Sequence, residues 1–248
     1  MLELKNISTG YGKEAVIKET STTFEKGKVT GIIGVNGCGK STLLKAIVGM
    51  LPIFDGEITL DEREAYTMSR KEIAQRIAYL SQEKNTPDMT AFQMVLHGRF
   101  PYLSYPHRYT ENDRRIAENS LKAVGISRFA QTPLSDLSGG IRQMVYIAMA
   151  LAQDTDYILF DEPTTYLDIT HQLELFKILK GLADSGKGIV AVMHDLLFTF
   201  EFCDEIAVIH NGTVITKSKP CELYNSSIIQ EIFNVQIKEL NGKYFYDV

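Results

Sequence analysis

The sequence predicts an α/β protein: a largely parallel sheet carrying a phosphate-binding loop, with an antiparallel β subdomain beside it and a helical subdomain inserted into it. Three observations carry this expectation. Gly34-Val35-Asn36-Gly37-Cys38-Gly39-Lys40-Ser41 fits the pattern G-x-x-x-x-G-K-[ST] in full. Residues 157–160 and 188–193 are near-continuous apolar runs, the kind that parallel sheets bury on both faces. Between about residues 90 and 152, strand-like runs give way to helical patterns. The expected organisation is one nucleotide-binding domain over 1–248. Residues 1–89 and 153–248 form its α/β core with the antiparallel part, and 90–152 form the helical subdomain.

Residues 1–8 alternate apolar and polar, as a half-buried strand does, and 16–24 read as its antiparallel neighbour across a turn at Gly10-Tyr11-Gly12. Residues 28–33 are a short buried strand feeding the glycine-rich loop, and 42–49 are an apolar-periodic helix that stops at Gly49. Asp55-Gly56 leads into a strand at 57–60, and another strand spans 77–82. Helices are expected at 92–97, 111–124 and 140–152. Residues 100–107 hold prolines and aromatics that suit a surface loop rather than regular structure. A strand at 157–162 precedes a helix at 171–183, a strand at 188–194 and a short helix at 198–203. Asn211-Gly212 joins two strands in a hairpin, and the C-terminal stretch alternates short helix and strand.

The loop has a physical logic. Glycines let several backbone N–H groups point into one concavity, which opens onto a helix N-terminus where unpaired N–H groups favour an anion. Asn36, Gly37, Cys38 and Gly39 would cradle phosphates, Lys40 would reach the β- and γ-phosphates, and Thr42 would add a hydroxyl near the α-phosphate. Ser41 would ligate Mg²⁺. Cys38 reads as a small residue tolerated in a tight loop; the alternative is a thiolate, which Lys40 and the helix N-terminus would stabilise there.

The apolar run from 157 ends in Asp161-Glu162. Asp161 at a strand tip would hold Mg²⁺, usually through water, and Glu162 would act as general base on the attacking water.

Composition narrows the class. Hydrophobic content of 44% and charged content of 23% are those of a soluble globular protein, and a net charge of −5 argues against a nucleic-acid binder. No apolar run approaches the roughly 20 residues of a membrane helix, and no signal-type segment precedes Leu2-Glu3-Leu4. Cys38, Cys203 and Cys221 are widely spaced without a CxxC, which fits a reducing cytoplasm.

Leu137-Ser138-Gly139-Gly140-Ile141-Arg142-Gln143, shortly before the acidic strand, resembles the signature sequence of the ATP-binding cassette (ABC) family. The phosphate loop, Gln82, the signature, Asp161-Glu162, Thr165-Tyr166-Leu167-Asp168 and His194 follow that family's order over nearly the whole chain. Two positions depart from it: Val35 stands where many members have proline, and Ile141 where glutamine is usual. The resemblance implies a P-loop NTPase (RecA-like) core, ATP and Mg²⁺ as cofactors, and ATP hydrolysis. It implies that Tyr11 stacks on adenine, that Gln82 senses metal and water, and that His194 contacts the γ-phosphate. It further implies a head-to-tail homodimer in which Ser138, Gly139 and Gly140 reach the nucleotide held by the other copy, with Asp168 at the interface.

Finer resemblance concerns His97-Gly98-Arg99-Phe100-Pro101-Tyr102, Ala152-Gln153-Asp154-Thr155 and the run from Asp161 to Leu175. These are similar to the ferric-siderophore, haem and cobalamin uptake ATPases. That similarity implies an importer subunit on the cytoplasmic face of the membrane. A separate permease would be met through Gln82 and residues 100–107, and an extracytoplasmic solute-binding protein would be served indirectly. The alternatives are import of another solute such as molybdate, or a free-standing cassette ATPase of the iron–sulfur assembly type.

Overall fold

The computed structural model describes residues 1–82 and 86–247. Strands β1 (Leu2–Tyr11), β2 (Glu14–Phe24), β3 (Val29–Ile33), helix α1 (Lys40–Ile47), β4 (Ile53–Leu60), β5 (Arg63–Glu64), α2 (Arg70–Ala74) and β6 (Ile77–Leu80) come first. Helices α3 (Ala91–His97), α4 (Glu111–Ala123) and α5 (Gly139–Ala152) follow without an intervening named strand. The chain then forms β7 (Tyr157–Asp161), α6 (Ile169–Asp184), β8 (Gly188–Val192), α7 (Leu196–Phe202), β9 (Glu205–His210) and β10 (Thr213–Ser218). It closes with α8 (Pro220–Leu223), α9 (Ile228–Phe233), β11 (Gln236–Leu240) and β12 (Lys243–Asp247).

The central sheet has the order β10-β9-β3-β8-β7-β6, with β9, β3, β8, β7 and β6 parallel and β10 antiparallel at one edge. Every residue of β3, β7 and β8 is buried, which is why their sequences are continuous apolar runs rather than alternating ones. Successive side chains still point to opposite faces. Ile33, Ile158, Phe160 and Ala191 join the core shared with α5, α6 and α7, whereas Ile32, Leu159 and Val190 join the core shared with α1 and the antiparallel sheet.

That second sheet, β2-β1-β4-β5, is antiparallel throughout. The reverse turn after β1 falls at Gly12-Lys13, later than the sequence expectation, because Gly10 pairs with Ala15 and Tyr11 with Glu14 before the chain reverses. Tyr11 is thereby the last strand residue, half exposed at the sheet's end.

Helices α3, α4 and α5 pack on one another between β6 and β7. Thr90 and Thr110 cap α3 and α4 through reciprocal capping boxes with Gln93 and Asp113. Gly98 ends α3 against α5: a Cβ there would stand 2.3 Å from the Met149 carbonyl oxygen. Within 100–107, where the sequence suggests a surface loop, Phe100–Tyr102 forms one 3-10 turn, closed by Tyr102 N–H donating to the Arg99 carbonyl at 3.0 Å. Arg99 is buried beneath it, donating to Asp113 Oδ1 at 3.0 Å and to the Ala152 carbonyl at 3.0 Å. The Phe100 ring stacks between His97 and His107, and Phe100 and Tyr105 remain exposed.

No helix among the described residues is long and apolar enough to cross a membrane.

Candidate functional site

Central strand β3 delivers the glycine-rich loop to the N-terminus of α1. Gly39, the residue before the helix, has φ +105°, a conformation L side chains rarely adopt, and a Cβ there would stand 2.6 Å from Ile17 Cδ1. The buried Lys40 folds back over its own loop, donating from Nζ to the carbonyls of Gly34 at 2.8 Å and Val35 at 3.0 Å. An incoming phosphate would offer that ammonium a charged acceptor in place of neutral carbonyls, a stronger bond. Asn36, Gly37, Gly39, Lys40, Ser41 and Thr42 line one side of a cavity of about 550 Å³. Tyr11 and Val16 line it at the antiparallel sheet, and Gln82, Glu162 and His194 face the loop from the ends of the central strands.

Cys38 differs from its neighbours in the loop. Its thiol is buried, and burial raises its pKa against the opposing pull of Lys40. The environment that sequence context offered for a thiolate is outweighed by desolvation.

Asp161 ends β7, buried, with both carboxylate oxygens occupied. Ser41 Oγ donates to Oδ1 at 2.9 Å and the Tyr79 hydroxyl donates to Oδ2 at 3.1 Å. Burial raises the Asp161 pKa, partly offset by these two hydrogen bonds. Ser41 and Asp161 thus set two oxygen donors side by side at the phosphate loop, the hard donor type that Mg²⁺ takes together with phosphate oxygens. The residues fit that ion.

Glu162 follows with φ +55°, uncommon for a residue with a side chain. Its carboxylate is gripped from two loops: Gln82 Nε2 donates to Oε2 at 2.6 Å, and His194 Nε2 lies 2.5 Å from Oε1. A carboxylate so placed at the mouth of a phosphate-lined cavity can accept a proton from a water held there.

The structure gathers Tyr11, Asn36, Gly37, residues 39–42, Gln82, Glu162 and His194 around one cavity, with Asp161 bonded to Ser41 beside it and Cys38 outside its lining. Ser138, Gly139, Gly140 and Asp168 do not line that cavity. Ser138 caps α5, its hydroxyl accepting from Ile141 N–H at 3.4 Å. Gly139 lines a separate cavity of about 630 Å³ with Arg142, Thr165 and Tyr166, while a Cβ on Gly140 would face the Tyr166 carbonyl at 3.5 Å. Asp168 caps α6, accepting from His171 N–H at 2.9 Å and lying 2.9 Å from His171 Nδ1. The His171 backbone hydrogen bond is the main cause of its lowered pKa.

Two contacts escaped sequence reading. Val16 joins the cavity wall because β2 passes over the loop. Tyr79 meets Asp161 because β6 pairs with β7 in the register Tyr79↔Leu159, which sets Tyr79 on the Asp161 face. Strand parity alone carries that second signal once the two strands are known to be neighbours.

A family model described as ABC transporter matches residues 17–165. The petrobactin import ATP-binding protein FpuD of Bacillus anthracis is 39% identical over 237 residues, 95% of this chain and 87% of that protein. The iron(3+)-hydroxamate import ATP-binding protein FhuC of Bacillus subtilis is 38% identical over 236 residues, 94% of this chain and 88% of that protein. The solved dimeric structure of a bacterial ABC transporter cassette superposes with a TM-score of 0.78 at 30% identity, covering 89% of this chain and 99% of that one.

Proposed function

The chain belongs to the ABC transporter family, and we propose that it hydrolyses ATP as the energy-coupling subunit of an importer for an iron chelate, through a separate permease. The solute class rests on the names of its relatives, which are import ATP-binding proteins for petrobactin and for iron(3+)-hydroxamate. The chemistry rests on one geometric observation: the Glu162 carboxylate, held by Gln82 and His194, faces the cavity that Lys40 and the phosphate loop line.

ATP enters that cavity with its base against Tyr11, an aromatic face at the sheet's end. Its phosphates lie on the N–H groups of residues 36–42, and Lys40 exchanges its loop carbonyls for phosphate oxygens. Ser41 and Asp161 would hold Mg²⁺, which when bound would neutralise charge on the phosphates. Glu162 orients water and accepts its proton, while His194 steadies the γ-phosphate side of the site. Gln82 touches Glu162 and lines both cavities, so it is placed to report the state of the nucleotide outward.

Ser138, Gly139, Gly140 and Asp168 complete the site of a second copy. Their separation from the Lys40 cavity supports that reading: a helix N-terminus capped by Ser138 carries anion affinity that its own chain's phosphate loop does not use. Two copies meet head to tail on the cytoplasmic face of the membrane. Gln82 and residues 100–107 meet the permease, which in turn receives solute from an extracytoplasmic binding protein.

The test is capture of tagged Glu162→Gln protein from its native membranes with ATP. A polytopic permease among the captured proteins supports the reading. Capture of soluble iron–sulfur assembly proteins alone replaces it with a free-standing cassette ATPase.

A further inference from the structure

We propose that Tyr79 is a positioning residue for the metal site, its hydroxyl fixing one Asp161 oxygen so that the other is presented to Ser41 and the phosphate loop. The inference rests on the reading of Asp161 as a metal ligand. Asp161 Oδ2 accepts from the Tyr79 hydroxyl at 3.1 Å and Oδ1 from Ser41 at 2.9 Å. The two donors approach different oxygens, so they define the rotation of the carboxylate rather than compete for it. When a cation takes up the Ser41 hydroxyl, the Tyr79 bond is the one described contact left to hold that rotation.

The tyrosine is itself anchored. Strand β6 fixes its backbone beside β7, and Tyr79 also lines a third cavity, of about 430 Å³, with Val48, Ile73 and Ala74. The side chain therefore spans from that groove to the metal site. A phenylalanine would fill the same space and leave Oδ2 without its partner. Partners that orient a metal ligand in this way typically contribute about 10–100-fold in metal affinity.

The experiment is a Mg²⁺ titration of the purified full chain at fixed fluorescent ATP, reading nucleotide binding by polarisation in the Glu162→Gln background. Tyr79→Phe and Asp161→Asn are compared with their parent, and the same nucleotide is titrated in EDTA. The expected result is a Mg²⁺ midpoint raised about tenfold in Tyr79→Phe and at least as far in Asp161→Asn. Affinity in EDTA should stay at the parent value, and Tyr79→Phe should still melt cooperatively, at a temperature lowered by the loss of one buried hydrogen bond. A midpoint raised in Asp161→Asn but unmoved in Tyr79→Phe overturns the positioning role. A midpoint unmoved in both removes Asp161 from the metal site, and the proposal with it.

Discussion

His194 Nε2 stands 2.5 Å from Glu162 Oε1, while Gln82 occupies the other carboxylate oxygen at 2.6 Å. Both oxygens of the proposed base are therefore engaged by protein. Each oxygen keeps a second lone pair with which it can take a proton from water. Gln82 follows β6 and His194 follows β8, the two strands that flank β7 in the sheet, so the base is held from both neighbours of its own strand.

Replacing Glu162 by glutamine keeps the shape and the possibility of hydrogen bonding but removes the proton acceptor. Phosphate release should fall by about 10²–10⁴-fold, the usual contribution of a general base, while ATP affinity stays within a few-fold. Steady-state hydrolysis and equilibrium nucleotide binding on the same preparation check it.

The Arg99–Asp113 pair is buried on both sides, with 8% side-chain exposure each, and the guanidinium lies 3.9 Å from the centroid of the Tyr102 ring. Arg99→Ala leaves a buried carboxylate uncompensated and should destabilise the fold by about 3–5 kcal/mol in denaturant unfolding. Burial pushes the Asp113 pKa up, but hydrogen bonds from Thr110 and Arg99 outweigh it and leave the carboxyl below its usual value. A lowered carboxyl contributes stability above its unfolded pKa and loses it as pH falls through the folded one. The difference between parent and variant should accordingly shrink as pH drops below about 4.

Gly98→Ala separates packing from propensity. Alanine favours a helical backbone over glycine, so propensity alone predicts a more stable protein. The new Cβ would instead meet the Met149 carbonyl at 2.3 Å and the Val95 carbonyl at 3.1 Å, backbone atoms that cannot rotate aside. Melting should shift downward, by an amount equivalent to about 1–3 kcal/mol.

Thiol labelling should rank the cysteines by burial. Cys221 is exposed, whereas Cys38 and Cys203 are buried, and burial lifts the Cys203 thiol to about 12. At neutral pH, alkylation followed by mass spectrometry should mark Cys221 first and Cys38 at least about tenfold more slowly. Equal rates would mean that the phosphate loop opens far enough to expose its thiol.

Much of the fold is legible in the chain because its signals are local. The apolar runs of β3, β7 and β8 and the Asn211-Gly212 hairpin each announce an element within a few residues. Boundaries were less legible: strand β1 outruns Gly10 because pairing with β2, rather than glycine, decides where the chain turns. Within the site, Gln82, Glu162 and His194 could be picked out by motif, but the two short contacts that join them depend on strands distant in sequence lying side by side. Tyr79 is invisible for the same reason, and the raised pKa of Cys38 depends on a burial that no motif encodes.

The central claim is that two copies of this chain share their nucleotides across a head-to-tail interface. Light scattering of purified Glu162→Gln protein with and without ATP and Mg²⁺ tests it most directly, with bound nucleotide counted in the same fractions. The account predicts a monomer without nucleotide and a dimer holding two ATP with it, abolished by Ser138→Arg. A monomer that binds ATP to saturation without dimerising would contradict it.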